Sequence, residues 1–210
     1  MPPVLNRFSS PLVSFALLLG LVFLLSALGA PERSLGRNAR WVNLHGAWIW
    51  TALFGFTLAG ALGAVGLAAQ RKRLQGWSCS SGLSAILFWL TYLPISLWTM
   101  EMNWNGLFLE EPLWQIGIDF AIVGLLFQLA GLITQSQALA SGLNAVFLIA
   151  LGFSLTRAEQ VMHAPSPISS SGSTLIRGFL ALMLPICLLA GWQLAPGIQR
   201  TVTKAHEARD

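Results

Sequence analysis

The chain has 210 residues, of which 55% are hydrophobic and 10% charged, with a formal net charge of +4. A soluble domain carries about 25% charged residues, and the apolar residues here fall in blocks too long to share one buried core, so an ordinary globular protein is excluded. The lysines and arginines stand between those blocks, which is a topology signal and not a nucleic-acid surface.

In lipid, open backbone groups find no partner, so a span is a helix of roughly 20 mostly apolar residues. Six such spans are expected, in a single transmembrane domain covering 1–210: Pro11–Ala30, Val42–Ala69, Leu83–Met100, Ile116–Thr134, Ala138–Leu155 and Thr174–Ala195. The fold class is therefore all-α, a polytopic membrane helix bundle. The first block is longer than the apolar part of a signal peptide and is followed by Ala30-Pro31, so it is read as a span that stays. The second carries Gly60, Ala64 and Ala68 on one stripe with Ala59 and Gly63 beside it, small residues that let helices pack closely in a membrane. Pro94 and Pro185 fall inside spans three and six, where a proline bends a helix. Gln128, in span four, is expected to hydrogen-bond a neighbouring helix. Asp119, an ionisable group in the same span, is assigned to the interface near the start of that helix.

Loop charge sets the orientation. With the N-terminus inside, Arg7, Arg71, Lys72, Arg73, Arg200, Lys204 and Arg209 are inside, and Arg33, Arg37, Arg40, Arg157 and Arg177 are outside. Both termini are then cytoplasmic, and the loop with Glu101, Glu110 and Glu111 faces out.

Cys79 and Cys187 form no Cys-x-x-Cys pair, so the chain is neither a dithiol oxidoreductase nor a c-type cytochrome. Of the histidines, His206 lies in a polar tail. His45 and His163 both fall on the outer side, bracketing a third outer stretch from Trp98 to Trp114. Two neutral imidazoles can ligate a haem iron from opposite sides, and tryptophans supply flat walls for the macrocycle. Trp41, His45 and Trp48, spaced i, i+4, i+7, share one helical face. Arg37, Arg40 and Arg157, with Arg33 and Arg177, are candidates to pair with propionates. Taken singly, the tryptophans need nothing beyond interface anchoring, and the arginines are better read as simple interface charges. Their joint placement is what points to a cofactor.

The order outer His, outer Trp loop, outer His resembles the haem-handling cytochrome c assembly family, whose smaller members have six spans and an outer "WWD" segment. Leu44-His45-Gly46-Ala47-Trp48-Ile49-Trp50 looks like its first histidine motif. Glu159-Gln160-Val161-Met162-His163-Ala164-Pro165-Ser166-Pro167 looks like the second. The family's dense tryptophan motif is thinned here to Trp98, Trp104-Asn105-Gly106 and Trp114, with Asp119 well beyond it. The resemblance implies haem b held transiently by His45 and His163 as metal ligands, over a floor rebuilt from Trp104, Phe108 and Trp114. It also implies a periplasmic haem chaperone or apocytochrome c and ABC-type transporter subunits as partners, and the plasma membrane, as a bacterial inner membrane, as the location. No residue set suggests a nucleophile or an acid–base pair, so a catalyst is not expected. The rival readings are a cofactor-free assembly subunit of a membrane complex and a small-solute transporter using Asp119 and Gln128.

Overall fold

The computed structural model describes residues 10–33, 35–161 and 172–207, and of 199–207 the backbone alone. It is all-helical: α1 (Pro11–Leu28), α2 (Ala39–Ala68), α3 (Lys72–Trp104), α4 (Pro112–Thr134), α5 (Gln137–Arg157) and α6 (Thr174–Glu207). All six are long and apolar enough to cross a membrane, α6 over Thr174–Ile198. The chain is a six-helix membrane bundle.

Local chemistry sets several ends. Pro11 and Pro112 occupy first helical turns, where a missing N–H costs nothing. The Glu111 side chain accepts from the Trp114 N–H at 2.8 Å, and the Ser136 hydroxyl accepts from Leu139 N–H at 3.2 Å, each quenching an orphan donor at a helix start. Asn105 and Gln135 stop α3 and α4 in the left-handed conformation.

Two helices outrun their expected spans. α3 starts at Lys72, well before Leu83, and the serines of the added stretch are buried and bonded. Ser78 Oγ donates to the Ala59 carbonyl at 2.7 Å and Ser80 Oγ to the Gly76 carbonyl at 3.1 Å. α6 continues through Pro196, past Ala195. α1 stops at Leu28, and α2 runs from Ala39 to Ala68, each close to the sequence estimate.

The α2–α3 hairpin is the centre. α4 and α5 flank it on one side, and α6, with α1 outside it, on the other. Leu12 of α1 meets Gly197 of α6, so the start of α1 and the far part of α6 share the end of the bundle where Arg71, Lys72 and Arg73 turn. His45 lies towards the opposite end.

The Arg71 end is fastened by a buried polar network. Gln128 Nε2 donates to Asn144 Oδ1 at 2.8 Å, and Asn144 Nδ2 donates to the Ser78 carbonyl at 3.0 Å and to Ser78 Oγ at 3.1 Å. Gln75 Nε2 donates to the Gly66 carbonyl at 3.1 Å. The expected partnering of Gln128 is thus met by α5. Gly63 makes the close approach possible: a Cβ there would stand 2.5 Å from the Ser141 carbonyl oxygen and 2.9 Å from Ser78 Oγ. Of the small-residue stripe, Ala59, Gly60 and Gly63 are buried, whereas Ala64 and Ala68 are exposed, so the packed stripe turns aside before the helix ends.

Candidate functional site at the His45 end

The i, i+4, i+7 face of α2 is formed as its spacing implies, and it packs on α3. The Trp41 ring meets Trp98 edge-on at 5.9 Å between centroids. One turn further in, the half-buried His45 ring lies 5.1 Å from that of Tyr92. One turn further still, Trp48 Nε1 donates to Thr91 Oγ1 at 2.8 Å, and its ring packs on Phe88 at 4.9 Å and on Phe23 of α1 at 5.9 Å. Trp48 is a core residue, 5% exposed, and its indole is engaged by α1 and α3.

Arg40 completes the group. Its guanidinium lies over the Trp41 ring at 5.2 Å. Its Nε is buried and has no hydrogen-bond partner among the described residues, and the same holds for Oδ1 of the buried Asn43. α1 covers this turn from the side: Ser26 Oγ donates to the Arg40 carbonyl at 3.2 Å. The α2 start is also tied to the far end of α3, where Asn38 Nδ2 donates to the Met102 carbonyl at 2.6 Å.

The remaining candidates spread around this end. Trp104 and Phe108 pair edge-on at 5.6 Å after α3, with Phe108 exposed. Trp114 is buried in the first turns of α4. Arg33, Arg37 and Arg177 are exposed, as is Arg157, whose guanidinium lies over its own helix's Phe153 at 5.1 Å. His163 lies outside the described residues. The antiparallel register of α2 with α5, in which Gly63 meets Ser141 and Gly60 meets Asn144 and Leu148, brings the end of α5 to the level of Trp48. The described chain beyond α5, residues 158–161, therefore starts near that level.

Two residues here carry weight that the sequence reading did not assign. Tyr92, the only tyrosine in the chain, is buried against the rings of His45 and Trp89. Glu111 is 2% exposed and caps α4. A lone tyrosine in an apolar helix and a Glu-Pro pair at a helix start were the available signals.

The donor set at this end suits a haem: an imidazole, aromatic rings and a guanidinium within two turns of α2. The walls do not form a slot for one, because the α2 face that would line it is filled by α3. The crevice between α2, α3 and α6, lined by Thr51, Gly55, Ser81, Ser84, Phe88 and Gly191, encloses about 30 Å³, room for a water or two and not for a macrocycle. The ring surface exposed at this end is that of Trp98 and Phe108. Comparison of the chain with family models, with curated proteins and with solved structures finds no match.

Proposed function

We propose that this protein handles haem at one membrane face in the assembly of c-type cytochromes, holding haem b transiently at the His45 end. The observation that carries the reading is the grouping of Arg40, Trp41 and His45 on adjacent turns of α2, above a closed core. Bound haem supplies an iron that takes an imidazole and propionates that take a guanidinium. In this reading His45 is one iron ligand, and Arg40, aided by the exposed Arg37 and Arg157, receives propionate charge. Trp41, Trp104 and Phe108 offer ring surface at the rim. His163 is the second ligand on the grounds of sequence order. The closed packing below the rim suits a carrier that passes haem on, since a protein that retains haem buries it. A periplasmic haem chaperone or an apocytochrome c would receive it, and ABC-type transporter subunits would associate with the bundle. The His45 end faces outward across a bacterial plasma membrane.

The test is the absorption spectrum of protein purified from haem-replete cells. A Soret band with a six-coordinate low-spin signature is expected. His45→Ala and His163→Ala should each leave a five-coordinate, weakly held haem that imidazole partly restores. A parent protein with no Soret band sinks the proposal.

The packing of Trp48 into the core favours a second reading, a cofactor-free assembly subunit in which the α2 face serves only helix association. That reading expects identical spectra for the parent and both histidine variants.

A further inference from the structure

Asp119 is the only acidic residue inside any of the six sequence spans. The structure exposes its side chain on α4. It stands seven residues beyond Pro112, which at 1.5 Å per residue is about 10 Å along a helix about 34 Å long. Its level in the bundle follows from neighbours: the Trp89 indole donates to the Gly117 carbonyl at 2.8 Å, and a Cβ at Gly117 would meet the Tyr92 ring at 3.6 Å. Asp119, two residues on, therefore sits about 3 Å further along α4 than the level at which that helix meets Tyr92. No described residue hydrogen-bonds or ion-pairs with its carboxylate. A charge exposed to hydrocarbon is strongly unfavourable, and charges in spans face protein or water instead.

The surface around it is a lane. Gln115, Asp119, Ile122, Leu126 and Ile133 follow helical spacing along α4 and are all exposed. Among the described residues α4 packs only on α3 and α5, and this side of it meets none of them. We propose that this lane is a docking surface for a membrane-spanning helix of another protein, and that the helix carries a lysine or arginine at the depth of Asp119. Charge complementarity selects that occupant: a cation satisfies the carboxylate, and the apolar residues beyond it supply packing. A second copy meets the requirement poorly. A two-fold contact through this lane sets Asp119 against Asp119. A head-to-tail contact has only Arg177 to offer from within a span, and Arg177 lies in the first turn of α6, nearer the His45 end than Asp119. The inference is independent of haem binding.

The test uses the full chain in membranes with a photo-crosslinking residue at Ile122, co-expressed with designed leucine–alanine single-span helices. One helix carries a lysine at the Asp119 depth, a second carries it two turns deeper, and a third has none. The matched helix should crosslink at least tenfold above the lysine-free one. Asp119→Asn should reduce that to background, and Asp119→Lys should transfer the preference to a helix bearing aspartate at the same depth. Three results would overturn the proposal: crosslinking unaffected by Asp119→Asn, crosslinking dominated by a second copy of the chain, or no helix captured above the lysine-free background, which leaves lipid as the occupant.

Discussion

The two ends of this bundle treat buried amides in opposite ways. At the Arg71 end, Asn144 and Gln128 are joined to each other, and Asn144 reaches on to Ser78, linking α3, α4 and α5. At the His45 end, Asn43 is as deeply buried as Asn144, yet its Oδ1 has no hydrogen-bond partner among the described residues, and neither has Nε of the adjacent Arg40. A buried polar atom left unpaired is destabilising. One end is therefore built to hold the helices together, and the other accepts a stability penalty in keeping polar groups beside an aromatic rim.

Glycines give the sharpest way to break that contrast, and the largest expected effect. At Gly63 a side chain would enter the Ser141 backbone, whereas at Gly46 a Cβ would meet only Leu180 Cδ1 at 4.0 Å. Gly63→Leu should cost about 3 kcal/mol or more, since backbone must move to admit it. Thermal unfolding in detergent should show a large loss or no folded protein. Gly46→Ala should unfold with the parent. Equal tolerance at both positions would remove the packed end from the comparison.

Asn144→Leu comes next. It deletes an acceptor for Gln128 and two donations to Ser78, and interhelical bonds in membranes average about 0.6 kcal/mol each, so a loss of about 2 kcal/mol is expected. Gln128→Leu added to it should cost little more, because its partner is already gone. Additive losses in that double-mutant cycle would mean that the two amides act separately.

Glu111→Ala should cost about 1 kcal/mol through loss of the cap on Trp114 N–H, and Glu111→Gln, which retains an acceptor oxygen, should recover most of it. Unfolding midpoints of the pair separate capping from any need for charge.

The number of helices and their class were legible in the sequence because lipid demands long apolar helices whatever their neighbours. The start of α3 was not, because Ser78 and Ser80 look like a break until their hydroxyls are seen to bond carbonyls within the bundle. Gln128 was readable as a polar side chain in need of a partner. Its partner was not, since Asn144 lies on another helix and nothing local marks the pairing. At the candidate site the helical spacing of Trp41, His45 and Trp48 correctly put them on one face, but spacing says nothing of what fills the space opposite. Tyr92, Thr91 and Phe88 of α3 fill it. Glu111 read as one member of an acidic loop, and only the turn into Pro112 buries it. Asp119 is the reverse case, a charge whose depth could be counted along the helix only once the true start of α4 was known.

The smallest expected effect is the most telling, because it repeats the Asn144 substitution at the other end. Asn43 lies on α2 between the buried Ala39 and Ala47, and leucine shares the branched outline of its four side-chain heavy atoms. Asn43→Leu removes a carbonyl oxygen that bonds nothing described and adds apolar surface to a core that already holds Leu44. Replacing an unsatisfied buried polar group by an apolar one of the same shape is near neutral or stabilising, and the larger methyls oppose part of that gain, so the change should lie within about 1 kcal/mol. If haem is handled at this end, the same variant should retain its unfolding midpoint while its haem content shifts, since Asn43 lies within a turn of His45, Trp41 and Arg40. A loss as large as that of Asn144→Leu would mean that Asn43 Oδ1 is bonded by a group outside the described residues. The two ends would then be built alike, and the case for a polar group held in reserve beside the rim would fall with it.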